Sequence, residues 1–248
     1  MRRCLRCVLF CVFALPGPLA CAQNVSEQYL LSAANQDRAV HGLPALRLNE
    51  HLSLAARIHA YEMAKRGTIS HQFSGEQDLA ARAADSGAHF SLITENVAEA
   101  SNAALIHDLW MGSEGHRANL LDPKVDAVGI AVVQDHGQLY AVEDFGRTVS
   151  TLSLSQQESA VGMTLGQAGL SVLPDAEDAR ETCQMVSGHA GLRQPWFVMR
   201  YTATDIHKLP PALLDRIASG KYGHASVGAC VPNSSPFTSY RLAVLLYP

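Results

Sequence analysis

The sequence predicts an α+β protein in which helices pack on an antiparallel sheet, followed by a second, smaller α+β domain. Three observations carry that reading. Helix-period apolar stripes recur across residues 26–112, two β-branched or aromatic runs flank Asp135-His136-Gly137, and past a Ser/Thr-rich stretch at 147–155 both kinds of pattern return. The chain has 248 residues, 48% hydrophobic and 17% charged, enough apolar content for packed cores and too much for a disordered chain. A net charge of −4, with no basic run beyond the first six residues, argues against nucleic-acid binding. No apolar run reaches the roughly 18 residues of a transmembrane segment.

The elements follow in order. Arg2, Arg3 and Arg6 precede an apolar run from Cys7 to Leu15, which Pro16-Gly17-Pro18 breaks ahead of Ala20-Cys21-Ala22. Residues 1–22 thus have the three parts of a secretory signal peptide, and the chain is expected to be secreted, in the periplasm or outside the cell. Cleavage there leaves 16 basic against 23 acidic side chains and only Cys183 and Cys230, an even pair that reads as one disulfide in an oxidising compartment. A helix is expected from Ser26 to Val40 on the stripe Tyr29, Leu30, Ala33, Ala34, stopped by Gly42 and Pro44. A second runs from about His51 to Lys65 with Gly67 beyond its end, a shorter one covers 77–87, and another covers Asn102 to Gly112. Ala127–Val133 and Leu139–Phe145 form a hairpin. Residues 149–155 make a linker, and Ser155 with Glu158 forms a capping box that opens a helix of the second domain, 156–248. Strands at Trp196–Thr202, Ala225–Val231 and Tyr240–Tyr247 and a helix at Pro211–Ser219 complete it. The two halves show no internal sequence repeat.

No H-E-x-x-H helix, P-loop, G-x-G-x-x-G, S-x-x-K or G-x-S-x-G elbow is present. Three short stretches carry chemistry instead: TISH with His71, ITENVA with Glu95 and Asn96, and WMGSEGHRANLL with His116. Two imidazoles and a carboxylate are the donor types of an open zinc site. Eleven histidines are spread along the chain, so spacing alone does not single out this trio.

The order of the motifs does. LLSAANQDRAVHGLPAL, ISH, TENVA, WMGSEGHRANLL, VGIAVV and YAVEDFG follow one another as in the CAP superfamily, the extracellular domain of cysteine-rich secretory, antigen 5 and pathogenesis-related proteins, and the chain resembles its compact bacterial form over about residues 26–148. The resemblance implies an α-β-α sandwich over residues 23–148 with a central cleft. It assigns His71 and His116 to that cleft as ligands of a divalent metal, with zinc as the implied cofactor, and Glu95 beside them. A second cleft glutamate would stand three residues after Trp110, where this chain has Ser113, leaving two histidines, one glutamate and a serine.

Other polar residues read as structural. Asn35, Arg38, Asn96, Arg117 and Asn119 are expected to satisfy backbone groups, His59 to be a bonded core histidine, Trp110 to be core, and Ser113 to cap a helix. The functional expectation is a secreted protein that binds a metal, small ligand or extracellular partner at His71, Glu95, His116 and Ser113, the partner being a small molecule, lipid or envelope component. The alternative is a zinc-assisted hydrolase of peptide or cell-envelope material with Glu95 as general base or orienter.

Overall fold

A computed structural model describes residues 24–232 and 234–248; the leader expected over 1–22 lies outside the described residues. Helix α1 (Val25–Val40) is opened by Asn24, whose side chain accepts from the Glu27 amide while the Glu27 carboxylate accepts from the Asn24 amide, each at 2.9 Å. Its buried face is Glu27, Leu30, Ala34 and Arg38, one stripe at helical spacing. Arg38 is fully buried because its guanidinium caps carbonyls, donating to Pro44, Leu120 and Asp122 at 2.8–3.0 Å. Asn35 makes a two-way bond with the Leu46 backbone, at 2.7 and 3.1 Å. Both residues do the structural work expected of them.

Short strand β1 (Arg47–Leu48) leads into helix α2 (Glu50–Arg66), capped by Asn49 and ended by Gly67 in the left-handed conformation, φ 62°. Helix α3 (Leu79–Asp85), capped by Asp78, is shorter than the stretch 77–87 suggested. Strand β2 (Phe90–Ala100) follows, then helices α4 (Ala103–Gly112) and α5 (Glu114–Leu120). Strands β3 (Ala127–Asp135) and β4 (Gln138–Thr148) turn at His136 and Gly137, both at positive φ, 45° and 81°, as a two-residue hairpin requires.

The first sheet has the order β1-β3-β4-β2, with β1 parallel to β3 and the other pairs antiparallel. Alternation along the strands sends Val128, Ile130, Val132, Ala141 and Phe145 to one face, against Leu30 and Ala34 of α1 and Ile106 and Trp110 of α4. Val97, Ala131 and Val142 point the other way, onto Ala56, Ala60 and Met63 of α2. Helices therefore cover both faces, as an α-β-α sandwich.

The second half begins with helix α6 (Leu154–Gln167). Its capping box is Ser153 with Gln156, not Ser155 with Glu158. Ser155 lies inside the first turn, and Glu158 is turned inward, accepting from Arg180 at 2.6 Å and from the Ala229 amide at 3.0 Å. Then come β5 (Ser171–Val172), α7 (Glu177–Gln184), β6 (Phe197–Ala203), α8 (Pro211–Ala218), β7 (His224–Cys230) and β8 (Tyr240–Tyr247). The sheet order is β5-β7-β8-β6. Cys183 and Cys230 form the anticipated disulfide, closing a separation of 47 residues, which the chain-entropy relation values at about 4 kcal/mol. Contacts between the halves include Thr238 N donating to Phe90 O at 2.7 Å and Phe237 edge-on to Phe90. No helix among the described residues is long and apolar enough to cross a membrane.

Candidate binding cleft

Glu95 lies mid-way along β2, and alternation turns it to the α2 side of the sheet, where Val97 also points. It is buried, and both its oxygens are engaged: Oε1 accepts from His71 Nδ1 at 2.9 Å and Oε2 from Arg82 Nη2 at 2.5 Å. Arg82, on α3, is itself buried and also donates to the carbonyls of His71 and Gln77. His59 of α2 stands behind, 3.9 Å from Glu95 Oε2, with Nδ1 against Glu76 Oε1 and Nε2 against the Ser70 carbonyl, both at 2.6 Å. It is the bonded core histidine expected, and its partners also fix the loop that carries His71. Opposite Glu95 in the strand pairing stands Asp144, wholly buried, with no hydrogen bond of ordinary geometry to either carboxyl oxygen. Burial above all, then the charge of Glu95, pushes the Asp144 carboxyl well above the usual range.

His116 reaches the same place from the other side. The Asn96 amide donates to the His116 carbonyl at 3.0 Å, and Asn119 donates to Asn96 Oδ1 at 3.0 Å and to the Glu95 carbonyl at 3.2 Å. These bonds brace α5 against β2. Arg117 donates to the Met111 carbonyl, joining α5 to α4. The His71 and His116 rings lie 6.3 Å apart between centroids, tilted by 51°. His71 is 60% exposed at its side chain, so the pair opens to solvent. Ser113 occupies the N-cap position of α5 but makes no capping bond with its side chain, and no hydrogen bond joins it to His116 among the described residues.

The two imidazoles are electrostatically unlike. The hydrogen bond to Glu95 raises the His71 pKa above its ordinary 6.5, whereas desolvation and then repulsion from His71 lower that of His116. Between these values the cleft holds one charged and one neutral ring. A raised value means that stability from the His71–Glu95 contact is fully present below about 6.5 and is lost as pH rises through the folded-state value. Proton NMR titration is expected to place His71 above and His116 below 6.5, with Glu95→Gln bringing His71 downward. Equal midpoints for the two rings would contradict this.

The sequence pointed to His71, Glu95 and His116, and these three come together. Arg82, Glu76 and Asp144 escaped it; the only available signal was the adjacent pair Glu143-Asp144 inside an otherwise apolar strand run. On the opposite face, Glu143 is buried with neither oxygen bonded among the described residues, and burial pushes its carboxyl up to about 8. Trp110 is fully buried core, as anticipated, with Nε1 unpaired among the described residues.

As a donor set the cleft offers two imidazoles with a carboxylate that orients one of them. Among the described residues no group of three or more His, Cys, Asp or Glu could hold a metal ion. A three-ligand zinc centre therefore does not fit. Two imidazoles on one tetrahedral zinc would bring their centroids to about 5 Å, given zinc–nitrogen bonds near 2 Å, against the 6.3 Å between His71 and His116.

A sandwich with two histidines and an oriented glutamate in its cleft defines a class of domain. Residues 31–145 match the Cysteine-rich secretory protein family, CAP, and this part of the chain belongs to that family. A curated relative, the uncharacterized protein YkwD of Bacillus subtilis (strain 168), is 26% identical over 122 residues, 49% of this chain and 47% of the relative. The match thus spans about half the length of that protein. Among solved structures, an extracellular protein containing an SCP domain from Bacillus anthracis is 27% identical, covers 50% of this chain and 40% of its own, and has a TM-score of 0.47. An outer surface protein of Borrelia burgdorferi is 20% identical, covers 50% and 92%, with a TM-score of 0.47.

Proposed function

We propose that the chain is an exported binding module whose ligand sits between the imidazoles of His71 and His116. The observation that carries this is the commitment of both Glu95 oxygens, one to His71 Nδ1 and one to Arg82. With Nδ1 engaged, His71 presents Nε2 as its free nitrogen, the arrangement in which a carboxylate orients an imidazole for a ligand. His116, the less basic ring, supplies a neutral nitrogen beside it. A small polar ligand bridging the two rings, or a divalent metal held by both nitrogens with ligand or solvent completing its shell, suits this pair. Zinc bound there would supply a localised positive charge for a carbonyl or anionic group. Export is supported by the leader-like pattern of residues 1–22 and by the family's secretory description.

The zinc-assisted hydrolase has less support. Its general base would be Glu95, yet that carboxylate is buried and already accepts from His71 and from Arg82, whose positive charge disfavours its taking a proton from water.

Calorimetric zinc titration of residues 23–248 tests the metal form of the proposal. One equivalent is expected, with affinity reduced at least tenfold in both His71→Ala and His116→Ala while circular dichroism stays unchanged. Binding indifferent to both substitutions, or none at all, would remove the metal from the reading.

A further inference from the structure

We propose that residues 154–247 are a second copy of the fold formed by residues 25–148, with the polar chemistry of the cleft replaced by apolar packing. The two sheets are the same object. Their orders, β1-β3-β4-β2 and β5-β7-β8-β6, correspond strand for strand, and each has a two-residue first strand parallel to its neighbour with all other pairs antiparallel. The helices fall in matching places, α1 and α6 before the first strand, α2 and α7 after it, and α4 and α8 after the next, while the short helices α3 and α5 have no counterpart in the second half.

Register makes the correspondence residue-specific. Arg47–Leu48 pairs with Ala127–Val128 and Ser171–Val172 with His224–Ala225, which carries Val132 onto Ala229. The hairpin pairings then carry Ala141 onto Leu242 and Asp144 onto Leu245. Faces agree throughout: Val128, Ile130, Val132, Ala141 and Phe145 share one core, and Ala225, Val227, Ala229, Leu242 and Leu246 share the matching one. On the first helices, Leu30 and Ala34 are matched by Val161 and Leu165 at the same spacing.

One polar device is repeated. Glu27 accepts from the Val132 amide at 3.2 Å and from Arg57 of α2 at 3.3 Å. Glu158 accepts from the Ala229 amide at 3.0 Å and from Arg180 of α7 at 2.6 Å. Val132 and Ala229 are the very positions that the strand register equates. In each half, a carboxylate on the first helix takes the amide of one strand and an arginine of the second helix.

The cleft is what has changed. Thr94-Glu95-Asn96 falls on Phe197-Val198-Met199, and Glu143-Asp144 on Val244-Leu245. Where the first half joins helix to sheet through His59, Arg82 and Glu95, the second packs Val198 and Leu245 around Cys183–Cys230. The polar groups of the cleft thus have no counterpart at the matching positions of the second copy. Besides the two missing short helices, the close-approach glycine departs, Gly129 under α2 and Gly228 under α7, which the register sets two residues apart.

Hydrogen–deuterium exchange on the full chain tests the duplication through its repeated lock. Glu27→Ala is expected to speed exchange at Val132 and its β3 neighbours about 10–100-fold, and Glu158→Ala to do the same at Ala229 and in β7. The Gln variants, which keep an acceptor for the strand amide, should show a smaller effect at the same positions and serve if an Ala variant does not fold. Unchanged protection at Ala229 in both Glu158 variants, or loosening that falls on another strand, would overturn the proposal. So would a crystal structure in which Ser171–Val172 does not run parallel to His224–Ala225.

Discussion

Arg82→Ala is expected to destabilise the N-terminal half by about 3–5 kcal/mol, the usual result of leaving one member of a buried ion pair uncompensated. Arg82 and Glu95 are each 3% exposed at the side chain, and the Arg82 fork also satisfies the His71 and Gln77 carbonyls. Its removal strands a carboxylate and two backbone acceptors together. The charge of Arg82 also opposes protonation of His71, so the same variant should titrate His71 still higher. Chemical denaturation read together with the His71 NMR titration checks both. A loss below about 1 kcal/mol would mean that solvent replaces the guanidinium readily, as at surface pairs.

Gly129→Ala is expected to cost about 3 kcal/mol, at or beyond the upper end of ordinary overpacking. A Cβ at this position would stand 2.1 Å from the Leu52 carbonyl carbon and 2.3 Å from the Ser53 amide, both backbone atoms that no rotamer change can clear. Helix α2 must then lift from β3. Because α2 carries His59 and leads to the loop bearing His71, the variant should also broaden the His71 resonance. Gly112→Ala, where a Cβ would meet nothing within 4 Å, is the matched control and should be close to neutral. A Gly129 variant as stable as the Gly112 control would show that the contact between α2 and β3 is looser than its geometry implies.

How much of this was legible follows from what each residue answers to. Helices α1, α2 and α4 and the hairpin announce themselves because one face is apolar and their stops are Gly, Pro or a turn that tolerates positive φ. Strand β2 shows in the sequence as a motif only, since Thr94, Glu95 and Asn96 interrupt its apolar alternation and so hide the strand that carries them. Arg82 left no trace in the pattern: on a short Ala-rich helix it looks like an exposed charge until Glu95 is placed beside it. The capping box at the start of α6 slipped by two residues because Ser153 and Ser155 offer the same chemistry and only the inward turn of Glu158 separates them. The repeat between the halves could not be read, because register and face were preserved while side-chain identities were not.

The contrast in how each second helix is fastened has an outcome for durability. Below the cleft the fastening is ionic, through Arg82, Glu95 and the histidines, so it is indifferent to thiols, and its His71–Glu95 contact weakens as pH rises through the folded-state value of His71. In the other half the covalent Cys183–Cys230 bond amid apolar side chains stands beside the Glu158–Arg180 pair, so this fastening answers to reductants. A chain built this way has two separate modes of failure: a rise of pH through the His71 value loosens the half with the cleft, whereas a reductant opens only its companion.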